Sequence, residues 1–134
     1  MSAGAARAAL ISRAMEARRF SRSPYSGFAV GAALEAADGQ IFTGCNIENA
    51  SYGLTMCAER VALFKALSEG VSEFRAVAIV TAAATLTPPC GPCRQLLWEF
   101  AGNLEVILAS VAGGQELHQL KDLFPFAFDA RCLR

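Results

Sequence analysis

The chain has 134 residues and 54% hydrophobic content, which suits one compact domain, residues 1–134, with a buried core. Its twelve basic and twelve acidic residues cancel, so no overall charge attracts a nucleic-acid polymer, and a small neutral ligand is expected instead. The N-terminus lacks the pattern of an export leader and no stretch approaches the ~18 uninterrupted apolar residues of a membrane span, so we expect a cytoplasmic protein without membrane contact.

The first third of the sequence predicts one helix followed by a β-hairpin. Apolar residues recur at helical spacing among charged ones over residues 5–20, which is typical of an amphipathic helix. Two apolar segments, residues 28–35 and 40–44, then flank Asp38-Gly39, a dipeptide that favours the positive φ angles of a tight turn. We therefore expect two paired strands here.

The rest of the chain alternates helices with short apolar strands. Its predicted elements are, in order, helix 57–68, strand 75–82, helix 90–100 and strand 104–109. Gly113-Gly114 predicts a turn, and residues 116–123 a short last helix. Strands that alternate with helices imply an α/β fold in which helices cover both faces of the sheet, an α/β/α arrangement.

The five cysteines indicate metal or redox chemistry rather than a disulfide framework, because their number is odd and no export signal is present. Cys90 and Cys93 lie three apart at a predicted helix start, so their side chains share one face, and Cys57 begins another helix. Three thiolates leave the fourth position of a tetrahedral zinc ion open, as a catalytic site requires. Cys45 and Cys132 are expected to be unligated thiols.

Two residues beside Cys57 complete the candidate site. Glu59 lies close to the predicted metal and is placed to move a proton, first as a base and then as an acid. Three thiolates around a divalent cation leave a net charge near −1, which weakens its Lewis acidity. Arg60, at i+3 from Cys57 on the same helical face, is expected to offset this charge by hydrogen-bonding the thiolates.

Two other interpretations of the cysteines remain open. Cys90-Gly91-Pro92-Cys93 is also the motif of thioredoxin-like oxidoreductases, although that motif follows an early strand and has no third cysteine partner. A zinc-stabilised binding module without turnover is the second alternative. A structural zinc site, however, needs no free carboxylate beside the metal, so Glu59 argues against it.

Four segments together resemble the cytidine deaminases of the short, homotetrameric kind with three cysteine ligands. They are residues 25–33, 43–52, 57–60 and 89–95. The resemblance implies a three-layer α/β/α cytidine deaminase-like fold with a central mixed sheet of about five strands. It further implies Zn²⁺ as cofactor and hydrolytic deamination of cytidine and deoxycytidine to uridine and deoxyuridine plus ammonia, in pyrimidine salvage. The implied homotetramer, with active sites at subunit interfaces, agrees with the mean hydropathy of +0.34.

The resemblance also assigns residues to the nucleoside. Asn46 and Glu48 would bind the ribose hydroxyls, since alternate residues of a strand point the same way and an amide with a carboxylate suits a diol. Phe28 would pack on the pyrimidine, and the Ala58 backbone would read the polar atoms of the base.

Two further aromatic residues are implied at a subunit boundary. Tyr52 matches a position near that boundary, and Phe128 is the aligned candidate for an aromatic that enters a neighbouring subunit's site. Phe126 departs from the family pattern at this point and leaves open which of the two phenylalanines crosses. His118, the only histidine, is expected to be a solvated surface residue. Deamination of another small aminopyrimidine compound, such as blasticidin S, is the alternative with the same zinc site.

Overall fold

The computed structural model describes residues 2–134, and these form four α-helices around a single five-stranded sheet. The helices are α1 Ala3–Arg18, α2 Ala58–Ser68, α3 Gly91–Ala101 and α4 Leu120–Leu123. The strands are β1 Gly31–Ala36, β2 Ile41–Cys45, β3 Phe74–Thr81, β4 Glu105–Ser110 and β5 Gln115–Gln119. Two short 3₁₀ helices lie at Tyr52–Leu54 and Ala130–Leu133.

The sheet is mixed and has the strand order β2-β1-β3-β4-β5. β3 and β4 are parallel and are connected by α3, whereas every other neighbouring pair is antiparallel. The predicted hairpin is confirmed, with β1 and β2 joined by a turn in which Gly39 has a φ of 95°. A parallel pair needs a long crossover, and α3 supplies it while covering the sheet.

Helices cover the two faces of the sheet with side chains of different size. On one face large aliphatic residues pack under α2 and α3, among them Leu34, Val77, Ile79, Val106 and Leu108. On the other face α1 packs through Leu10 and Ala14 onto smaller residues, mainly Ala33, Ala76, Ala78 and Ala109. The three-layer α/β/α prediction is therefore confirmed.

Two glycines let helices approach the sheet closely. A Cβ atom at Gly31 of β1 would lie 2.0 Å from the carbonyl oxygen of Ala14 in α1. A Cβ atom at Gly44 of β2 would lie 2.5 Å from the carbonyl oxygen of Ala58, in the first turn of α2. No side chain fits at either point, so the start of α2 rests directly on β2. This contact fixes the position of the residues around Cys57.

The predicted last helix is wrong over residues 116–119, which belong to β5, and α4 begins only at Leu120. Gly113 and Gly114 adopt φ angles of 104° and 95° and reverse the chain, so that the next residues pair antiparallel with β4. β5 is an edge strand with mostly exposed side chains. Its polar sequence resembles a solvated helix, and pairing with β4 decides the conformation instead.

The first helix begins earlier than its apolar spacing predicts. Ser2 caps it, because the Ser2 hydroxyl oxygen accepts a hydrogen bond from the Ala5 amide at 3.1 Å. With 16 residues α1 is the longest helix in the described part of the chain. Within residues 2–134, no helix combines the length and the apolar character needed to cross a membrane.

Candidate active site and metal centre

Three cysteines meet where two helices begin. Cys57 is the N-cap residue of α2 and Cys90 the N-cap residue of α3, while Cys93 lies in the first turn of α3. The Sγ atoms of Cys57 and Cys90 are 3.7 Å apart, and those of Cys90 and Cys93 are 3.3 Å apart. All three Sγ atoms lie within 4.8 Å of one another. The structure thus brings together the three predicted metal ligands, although 33 residues separate the first two in sequence.

The spacing of these sulfur atoms fits a zinc ion. Tetrahedral zinc with Zn–S bonds of about 2.3 Å places two sulfur ligands about 3.8 Å apart, close to the separation of Cys57 and Cys90. Cys57 and Cys90 are both N-cap residues, so the positive dipole ends of α2 and α3 lie at this point and favour thiolates there. Cys57, Cys90 and Cys93 are the residues that would hold the metal.

Arg60 provides the positive charge that three thiolates require. Its Nη2 atom donates a hydrogen bond to Cys57 Sγ at 3.1 Å, one helical turn away on α2. Hydrogen bonds from Cys93 and from Arg60 lower the pKa of the Cys57 thiol to about 5. Hydrogen bonding to Cys57, with burial, raises the pKa of Cys93. The predicted contact between Arg60 and a thiolate is present at Cys57.

Glu59 is buried in the first turn of α2, with only 5% of its surface exposed. Burial raises the pKa of Glu59 to about 7, since a carboxylate is poorly solvated there, and the negative charge of Cys57 acts in the same direction. A carboxyl group with this pKa exchanges a proton readily at neutral pH. Its environment is therefore that of a general acid and base.

A cavity of about 260 Å³ opens beside these groups. Its wall contains seven of the predicted site residues, namely Phe28, Asn46, Glu48, Cys57, Ala58, Glu59 and Cys90. Two of the three predicted ligands and the predicted proton carrier therefore share one space with the predicted base-binding and ribose-binding residues, and Cys93 lies outside the cavity wall. A cavity with one strongly buried acid and a thiol cluster at its end is a strong candidate for an active site.

Asn46 lies just beyond the end of β2 and is buried, with 8% of its surface exposed. Its Oδ1 atom accepts hydrogen bonds from Ser21 Oγ and from the Val30 amide, and its Nδ2 atom donates to the Phe28 carbonyl oxygen at 2.7 Å. The amide oxygen is thus already occupied within the protein. Only the second hydrogen of Nδ2 is left to reach a ligand.

Glu48 follows on an extended segment whose middle residue, Ile47, forms isolated bridges with Arg22 and Met56. Asn46 and Glu48 therefore flank Ile47 outside β2, and both line the cavity. The Glu48 carboxylate accepts hydrogen bonds from Ser26 and from the amide of Tyr25. These bonds, that of the Ser26 side chain above all, lower the pKa of Glu48, so it is ionised at neutral pH.

Tyr52 and Phe128 do not line this cavity. Tyr52 is 75% exposed and packs edge-on against Tyr25, with ring centroids 5.8 Å apart, over an adjoining depression that shares Ser26, Glu48 and Thr55 with the cavity. Phe128 is exposed near the C-terminus, where its carbonyl oxygen accepts a hydrogen bond from Gln95. Neither reaches the cysteines within one chain.

The family model described as "Cytidine and deoxycytidylate deaminase zinc-binding region" matches residues 6–109 and so spans all three cysteines and Glu59. The chain belongs to this family. The match begins within α1, ends within β4 and includes every residue that lines the cavity.

Curated relatives in the deaminase family agree over nearly the whole chain. The cytidine deaminase of Sporosarcina psychrophila is 48% identical over 120 residues, which cover 89% of this chain and 88% of the relative. The cytidine deaminase of Halalkalibacterium halodurans is 48% identical over 122 residues, which cover 90% of this chain and 92% of the relative. The crystal structure of cytidine deaminase from Burkholderia pseudomallei has a TM-score of 0.88 at 46% identity and covers 96% of this chain and 100% of that one.

Sequence reasoning missed the other half of the cavity wall. These residues are Ser26, Val30, Thr55, Met56, Ile79, Thr87 and Pro88. Ser26 lies inside one of the family segments, beside Phe28, and its position was the available signal. Thr55 and Met56 precede Cys57 without a pattern of their own. Ile79 was visible only as a core residue of a buried strand.

The remaining predicted groups lie outside the cavity wall. His118 is on β5, and its Nε2 atom is 2.9 Å from Glu116 Oε1. Cys45 and Cys132 are free thiols that do not belong to the cysteine cluster. None of these three residues lines the cavity with Glu59.

Proposed function

We propose that this protein catalyses the zinc-dependent hydrolytic deamination of cytidine and deoxycytidine to uridine and deoxyuridine, with release of ammonia. The observation that carries the proposal is the position of Glu59, a buried acid beside three clustered thiols, two of which line the same cavity of about 260 Å³ as Glu59. Membership of the deaminase family supports it. Such an activity fits pyrimidine salvage in the cytoplasm.

The residues of this chain divide the chemistry between them. Zinc held by Cys57, Cys90 and Cys93 supplies Lewis-acid activation of a water molecule. Glu59 would take one proton of the attacking water as the water oxygen bonds to the amine-bearing ring carbon, and would deliver that proton to the neighbouring ring nitrogen. It would then carry the proton of the new hydroxyl group to the amine, so that the carbon–nitrogen bond breaks, ammonia departs and the ring carbon keeps the oxygen as a carbonyl. Water and cytidine are consumed, and uridine and ammonia are formed.

The cavity wall accounts for nucleoside binding. Phe28, partly exposed at the cavity, would provide an apolar ring against the pyrimidine, and the Ala58 backbone, which lines the cavity at the start of α2, would bind the polar atoms of the base. Glu48 and the free hydrogen of Asn46 Nδ2 provide an acceptor and a donor for ribose hydroxyls. Arg60 acts on the metal ligands rather than on the nucleoside.

We further propose that the protein works as a homotetramer whose active sites lie at subunit interfaces. Large apolar side chains are exposed around the cavity and the C-terminus, including Tyr25, Tyr52, Leu54, Phe126 and Phe128. Association would cover them, and it would allow Tyr52 and Phe128 to approach a neighbouring cavity. Light scattering tests this proposal, because a fully active monomer of 14.2 kDa would contradict it.

The experiment that tests the activity follows ultraviolet absorbance and ammonia together. Purified protein of measured zinc content is given cytidine, deoxycytidine and cytosine, before and after chelation. Turnover of both nucleosides, abolished by chelation and restored by zinc, is the expected result. Bound zinc without turnover of either nucleoside would contradict the proposal and favour another aminopyrimidine such as blasticidin S, and a metal-free dithiol would favour the redox alternative.

A further inference from the structure

Ser26 connects two binding residues that come from different segments of the chain. Its Oγ atom donates a hydrogen bond to Glu48 Oε2, and its backbone amide donates to Glu48 Oε1 at 3.1 Å. The same Oγ atom accepts a hydrogen bond from the Phe28 amide at 3.0 Å. One hydroxyl group thus joins the carboxylate that is predicted to bind the ribose to the backbone of the aromatic residue that is predicted to pack on the base.

The direction of both hydrogen bonds is fixed by the chemistry of the partners. The Phe28 N–H can only donate, so it occupies a lone pair of the hydroxyl oxygen. An ionised carboxylate can only accept, so the single hydroxyl hydrogen must point to Glu48. Ser26 therefore cannot rotate to another partner without losing both bonds. It holds Glu48 and the backbone of Phe28 at a set separation.

Glu48 depends on this contact because its carboxylate is partly exposed, and the two backbone amides that also bind it hold only Oε1 and leave Oε2 to the Ser26 hydroxyl. The amides of Tyr25 and Ser26 and the Ser26 hydroxyl occupy three of the about four lone-pair positions of the carboxylate. Glu48 lines the cavity together with Ser26, so the remaining position is available to a ligand there. Fixing the rotamer before binding removes an entropic cost from each hydrogen bond that Glu48 makes to a ligand.

We propose that Ser26 is a positioning residue that orients Glu48 toward the sugar hydroxyls and so sets the preference of the enzyme for hydroxyl-bearing over dideoxy nucleosides. This inference rests on the proposed nucleoside deamination. Ser26 itself need not touch the reacting atoms. Its effect is confined to the sugar end of the cavity, because the proton transfer at Glu59 does not involve Glu48.

The test compares two substrates within each preparation. kcat/KM is measured for cytidine and for 2′,3′-dideoxycytidine in four proteins: wild type, Ser26→Ala, Ser26→Thr and Ser72→Ala. Where turnover of dideoxycytidine is slow, its inhibition constant is measured instead. Ser72 is an exposed serine in the turn before β3 that does not line the cavity, and it serves as the matched control. A ratio of two substrates is unaffected by a partly folded or partly metallated fraction, since that fraction lowers both rates equally.

We expect Ser26→Ala to reduce the preference for cytidine over dideoxycytidine about tenfold, as the loss of one hydrogen bond to a charged group implies. The loss should appear mainly in KM, with kcat retained. Ser26→Thr keeps the hydroxyl and should restore most of the preference, and Ser72→Ala should match wild type. Equal losses on both substrates would overturn the proposal and make Ser26 merely structural. Wild-type enzyme that turns over neither substrate would instead refute the proposed function, before any variant is compared.

Discussion

The guanidinium group of Arg60 and the sulfur of Cys57 are 3.1 Å apart, on neighbouring turns of the same helix. Within residues 2–134 the Nε atom of Arg60 is buried and has no hydrogen-bond partner. A buried donor without a partner costs free energy, so the position of this side chain must be stabilised in another way. Attraction between its positive charge and the thiolates provides that stabilisation.

Removal of Arg60 should therefore weaken the metal site. Arg60→Ala is expected to lower zinc affinity or turnover about 10- to 100-fold, the usual effect of losing a partner of a metal ligand. Competition with a chromophoric chelator measures the affinity. Arg60→Lys keeps the charge but lacks the planar guanidinium group, so its zinc affinity and turnover should lie between those of wild type and Arg60→Ala. Arg13 is exposed on α1, and Arg13→Ala should have no effect. Wild-type zinc affinity and turnover in Arg60→Ala would exclude charge compensation.

Replacement of Glu59 should separate metal binding from chemistry. Glu59→Gln has the same size but cannot carry a proton, so turnover of cytidine should fall at least about 10²- to 10⁴-fold. Zinc content and the thermal midpoint should stay near wild type, because none of the three sulfur ligands changes. Steady-state kinetics measures turnover, and zinc analysis of the same preparation measures the metal content. Retained activity would remove Glu59 from the mechanism.

Gly31 should not accept a side chain. Gly31→Ala places a methyl group 2.0 Å from the Ala14 carbonyl oxygen, which is backbone and cannot move aside alone. We expect the free energy of unfolding to fall by about 1–3 kcal/mol, toward the upper end of that range. Gly53→Ala is the matched control, since nothing lies within 4 Å of the added atom. Chemical denaturation compares the two, and equal stabilities would contradict the close approach of α1 to β1.

The network around Glu48 should weaken in acid. The Ser26 hydroxyl, with the amides of Ser26 and Tyr25, lowers the pKa of Glu48 below its ordinary value of 4.5. A carboxyl whose pKa is lower in the folded than in the unfolded state stabilises the fold above pH 4.5 and loses this effect as the pH falls through the lowered value. The stability difference between wild type and Glu48→Ala should therefore be full at neutral pH and shrink in acid.

Carboxyl-carbon NMR titration provides the direct measurement for Glu48. The resonance in wild type should titrate below pH 4.5, and in Ser26→Ala its midpoint should move up toward that value. A wild-type midpoint at or above 4.5 would show that the hydrogen bonds do not favour the ionised form.

The sequence allowed the chemistry of the site to be predicted more fully than its walls. Cysteine spacing and the adjacent Glu59 predicted the metal and proton-transfer groups, because three thiols and a carboxylate at helix starts suit a catalytic zinc site. The ring of Phe28 and the Ala58 backbone required the family resemblance. Thr87 could not be found, since a short polar residue in a loop becomes part of a cavity only through contacts between distant segments, and Ser26 was signalled only by its place in a family segment.

The prediction of secondary structure was wrong where pairing between strands outweighs the local sequence pattern. β5 has one large apolar residue, Leu117, among polar ones, and its strand conformation depends on hydrogen bonds with β4. Conversely, α2 and α3 were located to within a residue or so, because each begins at a cysteine that also marks the motif. The sequence did not predict that the side-chain oxygen of Asn46 is occupied within the protein, since its hydrogen bonds with Ser21 and Val30 join segments that are far apart in sequence.

The unequal faces of the sheet set different limits on how this chain can diverge. Under α1 the fully buried alanines Ala14, Ala33 and Ala78 leave little space for a larger side chain, so accepted changes at these positions should be confined to small residues or paired with changes in the facing element. Under α2 and α3 the larger aliphatic side chains can exchange with one another at nearly constant volume. Drift among homologues should therefore be slow in the α1 layer and faster in the core beneath α2 and α3, even though that core supports the catalytic helices.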